Sequence, residues 1–170
     1  MQRPAFMFFA VAVVASTAFV IATGQDLPAR VASHFGFGGA ADRYLSRETY
    51  VLVIASITAL VPIVTVAVAA ITARVRPGGA CRRHRAFWSR PENRDAAIAW
   101  CTSRSMVLGG MVAIFLAAVH ALVLRANEVQ PAHLPSPLFG FVVAAFGVAV
   151  AVVSLMFRLH MDRIVRGTSH

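Results

Sequence analysis

The chain has 170 residues, of which 58% are hydrophobic and only 14% charged, and its mean hydropathy is +0.70. A water-soluble domain of this length carries more charge, so the composition indicates an integral membrane protein. The net charge of +9 could suit a nucleic-acid partner. The basic residues lie between hydrophobic runs rather than over a soluble face, however, so no nucleic-acid partner is expected. Lysine is absent, which excludes Schiff-base chemistry and a phosphate-binding P-loop.

Four apolar runs, interrupted only by His120, are long enough to cross a bilayer, which takes about 20 residues. None alternates between apolar and polar residues as a half-buried strand would. We therefore predict an all-α polytopic membrane protein in which residues 1–170 form a single domain with four transmembrane helices. The expected bounds of these helices are about 4–23, 50–73, 106–124 and 137–157.

The first connection, residues 24–49, is polar and rich in glycine. His34 and Asp42 are separated by three glycines in this loop, so the chain can fold back and bring the imidazole and the carboxylate together. Such a pair can bind a cation, relay a proton or form a hydrogen bond. Most polar loop residues serve turns and caps, so we favour the hydrogen bond. Two ligands do not complete a metal site, and neither a metal nor a cofactor is predicted.

The second connection, residues 74–105, is strongly basic. Ser89, Pro91 and Glu92 form a helix-start pattern, which predicts a short interfacial helix from about Arg90 to Cys101. We expect the arginines of this loop to meet anionic lipid headgroups and the indole rings to lie in the headgroup layer. The residues assigned to the membrane surface are Arg82, Arg83, Arg85, Trp88 and Trp100.

His120 is the only Asp, Glu, His or Arg residue within a predicted span. Ionisable groups inside a membrane are candidates for function. This histidine is also one turn from the end of its helix, where it could reach headgroups or bond to the loop at residues 24–49. Both interpretations stay open on the sequence alone.

Small residues recur at spacings of three and four along the predicted helices. The third helix carries Gly110, Ala113 and Ala117, and the fourth carries Gly140 and Gly147. Such stripes let helix backbones approach closely in lipid, where the hydrophobic effect does not drive helices to associate. Packing within one molecule is the favoured interpretation, and a seam between two copies in a homo-oligomer is the alternative.

The distribution of arginine predicts the orientation in the membrane. Twelve of the sixteen arginines lie in the N-terminal segment, the basic loop and the C-terminal tail, and four lie in the other two connections. By the positive-inside rule, both termini and the basic loop are cytoplasmic, and the loop at residues 24–49 faces outward. We expect the protein in a bacterial inner membrane.

Two segments carry a recognisable signature. The first comprises Leu27-Pro28, Arg30-Val31, His34, Gly39, Asp42 and Arg47, and the second comprises Phe87-Trp88, Pro91-Glu92 and Arg94. They resemble a bacterial membrane domain of unknown function, found at the start of SdpI-type toxin-immunity proteins and in small four-helix membrane proteins. Ala32 and Arg47 stand where that family usually has proline and lysine. The second domain of the immunity proteins is not expected within these residues, so the resemblance mainly implies an integral membrane protein of unknown function.

These features predict an accessory, immunity or signalling protein whose outer loop binds an extracellular peptide, toxin or other partner. The candidate binding residues are His34, Asp42, Gly39, Arg47 and His120. The alternative is a small oligomeric transporter. A proton-coupled exporter would be expected to hold a carboxylate in the membrane, and no predicted span contains Asp or Glu. An enzyme is not expected, because the sequence shows no nucleophile motif, metal triad or pair of outward cysteines.

Overall fold

The computed structural model describes residues 2–36, 38–76, 85–88 and 90–167. In chain order, its elements are α1 (Gln2–Gly24), β1 (Arg30–Phe35), β2 (Ala41–Ser46), α2 (Arg47–Val75), α3 (Arg85–Trp88), a 3-10 turn (Pro91–Asn93), α4 (Arg94–Asn127) and α5 (Ser136–Gly167). Among the described residues, four helices, α1, α2, α4 and α5, are long and apolar enough to cross a membrane. The all-α, four-span class is therefore confirmed, and the chain has the architecture of a multi-pass membrane protein.

The connections fall at two ends of the bundle, because successive long helices run in opposite directions. The hairpin end comprises the segment at residues 24–49, which includes β1 and β2, together with the connection at residues 128–135. The basic end comprises the described residues between α2 and α4, the first turns of α4 and the last turns of α5. Each end has its own buried cluster, around Tyr50 and Trp100 respectively.

Helices α1, α2 and α4 form the centre of the bundle, and α5 lies beside α4. The helix α1 approaches α4 at Gly110, where an added Cβ would lie 2.6 Å from a ring carbon of Phe8. Ala113, one turn later, is fully buried. The small residues of α4 therefore serve packing within the molecule, as the favoured interpretation predicted.

The small residues of α5 are in a different environment. An added Cβ at Gly140 or Gly147 would meet nothing within 4 Å, and none of the most apolar window of α5 is buried. α5 instead contacts α4 through stacked rings of Phe115 and Phe146, with centroids 4.3 Å apart. The packing predicted for the α5 stripe is thus not present within the molecule, because Phe146, which meets α4, and the two glycines lie on different faces of α5.

The predicted interfacial helix at about residues 90–101 is not a separate element. After the short α3 and the 3-10 turn, α4 runs without a break for 34 residues, about 51 Å at 1.5 Å per residue. No glycine or proline interrupts the sequence from Arg94 to Leu108, so the helix continues straight into the span. Ser89, the predicted cap, lies outside the described residues. Among the described residues, Asn93 holds the turn before α4, since its Nδ2 donates to the carbonyl of Phe87 (3.0 Å).

The connection predicted as a glycine-rich loop contains an antiparallel β-hairpin. β1 and β2 pair from Arg30 with Ser46 to Phe35 with Ala41, with irregular register near His34. The turn is closed by the Gly36 N–H donating to the Ala40 carbonyl (2.9 Å). Sequence reasoning missed these strands because glycine-rich polar segments are normally loops. Here, burial of β1 against the helices compensates for the weak strand propensity of this glycine-rich segment.

Candidate functional site

The hairpin is anchored by the apolar residues of its first strand. Val31 and Ala32 on β1 have no exposed surface, whereas every residue from Asp42 to Ser46 on β2 is exposed. The buried cluster beneath β1 comprises Leu27, Val31, Tyr50 and Val123. The hairpin therefore has an inner strand fixed on the ends of α2 and α4 and an outer strand that faces the surroundings.

Asn127, the last residue of α4, holds β1 by hydrogen bonds in both directions. Its Oδ1 accepts from the backbone N–H of Ala32 (2.8 Å), and its Nδ2 donates to the carbonyls of Ala32 (3.2 Å) and Val123 (2.9 Å). The side-chain amide thus replaces the peptide group of a neighbouring strand. Because Ala32 is buried, these bonds satisfy backbone groups that water does not reach. The sequence did not single out Asn127, since an asparagine at a helix end resembles an ordinary cap.

The tip of the hairpin docks on the connection at residues 128–135. The Gly39 carbonyl accepts from the Leu134 N–H (2.7 Å), and the Ala41 N–H donates to the Ala132 carbonyl (3.3 Å). Gly39 has a φ of +92°, and an added Cβ would lie 2.4 Å from the carbonyl oxygen of Leu134. Both the conformation and the close approach require glycine. The candidate residue Gly39 therefore joins the two connections of the hairpin end.

The structure brings His34 and Asp42 together across the hairpin. Nδ1 of His34 lies 2.6 Å from Oδ1 of Asp42, and the two side chains are 61% and 50% exposed. A carboxylate beside Nδ1 favours the tautomer with its proton there, so Nε2 is the ring atom left for a ligand. An exposed pair of this kind contributes little to stability. In the described part of the chain, no three His, Cys, Asp or Glu side chains group as metal ligands would.

A cavity of about 580 Å³ lies between the hairpin tip, α4 and the start of α5. Its rim includes Ser33, His34 and Ser136, and its deeper wall includes Val119 and Leu122. The volume is within the range of small-ligand pockets, roughly 300–1,000 Å³. Along α4, the wall extends about 12 Å from the helix end, at 1.5 Å per residue. A polar rim above an apolar wall suits one apolar group attached to a polar backbone or headgroup.

His120 lies in the centre of the three-helix contact rather than at the hairpin or the surface. It is 1% exposed, its Nε2 lies 3.0 Å from Thr23 Oγ1, and its Nδ1 lies 3.0 Å from the hydroxyl of Tyr50. Thr23 Oγ1 donates its proton to the Phe19 carbonyl (2.7 Å), so it accepts from Nε2–H of the histidine. Tyr50 then donates to Nδ1. This neutral network joins α1, α2 and α4, an arrangement that neither interpretation from the sequence described.

Arg47 is placed at the base of the hairpin. It is the first residue of α2, and its backbone N–H donates to the Ala29 carbonyl (3.1 Å), which closes the hairpin at its open end. The preceding residue, Ser46, caps α2 by accepting from the Thr49 N–H (3.2 Å). Arg47 therefore lies away from the cavity rim at His34. Its backbone hydrogen bond to Ala29 stabilises the base of the hairpin and does not line the cavity.

Of the residues predicted at the membrane surface, those that the structure describes lie at the basic end. Arg82 and Arg83 fall outside the described residues, and Arg85 is the first residue of α3. Trp88 and Trp100 are only 3% and 5% exposed, and Trp88 Nε1 donates to Met161 Sδ (3.1 Å). The structure thus buries two indole rings that were expected in the headgroup layer. The reason is that α4 and α5 both extend beyond the predicted spans and provide a protein surface for them.

Comparison with known proteins finds a match to a protein family. Residues 11–60 match a family described as a domain of unknown function (DUF1648). No curated protein and no solved structure matches the chain. The matched segment contains most of α1, the whole hairpin with His34, Gly39, Asp42 and Arg47, and the first half of α2. It agrees with the resemblance carried by these residues, and it identifies residues 11–60 as the segment in which this chain is similar to a domain of unknown function.

Proposed function

We propose that the protein is a non-enzymatic membrane accessory protein, of an immunity or signalling kind, whose hairpin end recognises an extracellular peptide or protein segment. The observation that carries this proposal is the 580 Å³ cavity whose rim includes His34. In this proposal the hairpin end faces outward from a bacterial inner membrane and the basic end faces the cytoplasm, as the positive-inside rule requires.

The shape of the hairpin end supports recognition of an extended chain. The cavity offers an apolar wall at Val119 and Leu122 for one apolar side chain, and Nε2 of His34 can bond to a polar group at the rim. The exposed outer strand β2 provides a second contact, because extended peptides commonly pair with exposed strands. The hairpin is held in place by Asn127 and Gly39, so little ordering cost opposes binding.

Transport is the less supported alternative. Proton-coupled exporters hold a carboxylate within the membrane, and no predicted span contains Asp or Glu. His120, the ionisable residue of the third span, has both ring nitrogens engaged by Thr23 and Tyr50 in a contact between helices. This arrangement supports a structural role for that histidine better than a role in proton transfer.

The binding proposal can be tested by selecting peptides from a displayed random library on the full chain in lipid nanodiscs. Val119→Phe places a phenyl group in the cavity, and we expect it to weaken the selected peptides at least tenfold, about 1.4 kcal/mol. Val148→Phe is the matched control, because Val148 is 64% exposed on α5. Equal binding of the peptides to the wild type and to Val119→Phe would refute the cavity as the binding site.

The orientation is tested with a membrane-impermeant thiol reagent on intact cells. We expect the reagent to label Ser33→Cys, which lies on β1, and to leave Cys81 and Cys101 unlabelled until the membrane is permeabilised. Immediate labelling of the two native cysteines, with Ser33→Cys protected, would reverse the proposed orientation.

A further inference from the structure

A second cavity, of about 320 Å³, lies between α2 and α4 at the basic end. Arg76 and Arg104 supply the charged part of its lining, and Ala69, Ala73 and Leu108 supply an apolar part. It is at the opposite end of the bundle from the hairpin cavity, and the proposed recognition of an extracellular segment does not use it. The combination of two cations and an apolar wall points to a ligand that is both anionic and apolar.

The two arginines are placed to bind an anion. In the described part of the chain, no carboxylate lies within ion-pair distance of Arg76 or Arg104. The Arg104 guanidinium lies 5.6 Å from the centre of the Trp100 ring, a cation–π contact that holds it beside the cavity. Arg76 directly follows α2, and its backbone N–H donates to the Thr72 carbonyl (2.9 Å), which fixes the end of that helix.

By the span bounds predicted from the sequence, the cavity falls where the hydrocarbon meets the headgroups. Arg76 follows the predicted end of the second span at residue 73, and Arg104 precedes the predicted start of the third span at residue 106. Ala69 and Leu108, by contrast, lie within those spans. Basic pockets between transmembrane helices on the cytoplasmic side bind anionic lipid headgroups. In a phospholipid, the phosphate lies at the depth of the two arginines and the acyl chains lie at the depth of Ala69 and Leu108.

We propose that this cavity binds one anionic phospholipid, with its phosphate between Arg76 and Arg104 and part of an acyl chain along Ala69 and Leu108. Phosphate accepts charge-assisted hydrogen bonds from arginine. A zwitterionic headgroup of equal chain length has the same phosphate but adds an ammonium group, which the two arginines repel, so the pair favours the anionic headgroup. The site is distinct from general attraction of the basic end to the membrane surface, because it needs both the two arginines and the free apolar space beside them.

The test uses the full chain in a neutral detergent, with bound lipid counted by native mass spectrometry. Phosphatidylglycerol and phosphatidylcholine with the same chains are titrated, and we expect the first to be retained preferentially. Arg76→Gln and Arg104→Gln should each weaken phosphatidylglycerol about fivefold, the equivalent of about 1 kcal/mol for each arginine. Arg158→Gln, an exposed arginine on α5 at the same end, removes the same charge outside the cavity and should have little effect.

A second variant tests the apolar half without changing the charge. Ala69→Leu fills part of the cavity, and we expect it to lower phosphatidylglycerol binding while both arginines are intact. Ala151→Leu, on the exposed surface of α5, is its control.

The proposal is overturned if the two lipids bind equally, or if Arg158→Gln weakens binding as much as Arg76→Gln. It is also overturned if soluble glycerol phosphate displaces the lipid at equal concentration, since the site would then bind free phosphate rather than a lipid.

Discussion

Both ends of this molecule have a buried apolar cluster, but they differ in how far hydrogen bonds between distant segments hold them. At the hairpin end, directional hydrogen bonds join Asn127 to the backbone of Ala32 and Gly39 to Leu134, and deeper in the bundle they join His120 to Tyr50 and Thr23. At the basic end, the main contact is an apolar cluster around Trp88, Trp100 and Met161, and the Arg104 guanidinium lies against the Trp100 ring. Hydrogen bonds fix positions to a few tenths of an ångström, whereas apolar packing tolerates adjustment.

This difference agrees with the two proposals. A surface that recognises a particular segment gains affinity when it is already in its bound shape, and the hairpin end has the contacts that produce such a shape. A surface that meets lipid needs charge and apolar area more than fixed geometry, and the basic end supplies both. Three substitutions, two of them paired with a matched variant, would sharpen or break the contrast between the ends.

The largest effect is expected for Asn127→Ala. This change leaves the N–H and the carbonyl of Ala32 buried and without partners, and each such group costs about 1–3 kcal/mol. We expect a loss of about 3 kcal/mol in the free energy of unfolding, measured by titration with denaturing detergent, and faster hydrogen exchange in β1.

Asn93→Ala is the matched change at the basic end, where one hydrogen bond to Phe87 is lost. It should cost about 1 kcal/mol. Equal losses for the two variants would contradict the contrast.

A smaller effect is expected for Gly39→Ala. The new Cβ would overlap the Leu134 carbonyl oxygen, and backbone cannot move aside as a flexible side chain can, so the hairpin tip should undock from residues 128–135. We expect a loss of about 2 kcal/mol, with faster exchange at the Leu134 amide.

Gly38→Ala is the control for the effect of Gly39→Ala. Gly38 also has a positive φ, of 108°, but an added Cβ there meets nothing within 4 Å. Its cost is conformational only, about 1 kcal/mol. If the two glycine variants unfold alike, the contact with Leu134 does not hold the tip.

The smallest effect is expected for Trp88→Phe at the basic end. The change removes the hydrogen bond from Nε1 to Met161 Sδ but keeps an aromatic ring in the cluster. Because the cluster is apolar and can repack, we expect a loss of about 1 kcal/mol or less in the same titration. A loss as large as that of Asn127→Ala would mean that the basic end depends on directional contacts as well.

Much of this architecture was accessible from the sequence, because it follows from local composition. Uncharged runs of the right length predicted the four membrane-crossing helices, and the structure confirms them. The glycines between His34 and Asp42 indicated a fold-back, and these side chains do form a hydrogen bond. The predicted interfacial helix was wrong as a separate element because the same local pattern also suits the first turns of a longer helix, such as α4.

The remaining features depend on contacts between distant parts of the chain. Asn127 and Ala32 are 95 residues apart, and nothing near either residue indicates that they pair. The two glycine stripes illustrate the same limit: Gly110 of α4 approaches Phe8 closely, whereas Gly147 of α5 meets no atom within 4 Å. A small residue permits close approach, but only the arrangement of the helices decides whether a neighbour is present.

By itself, therefore, the sequence determined that this chain is a four-span membrane protein with a polar, glycine-rich end and an arginine-rich end, because hydrophobicity and charge act residue by residue. The tertiary structure decided that the polar segment is a hairpin, that Asn127 fixes it, and that a cavity lies beneath its tip. These features depend on contacts that the end of α4 and the start of α5 make with residues far away in the chain. No local sequence pattern encodes such contacts.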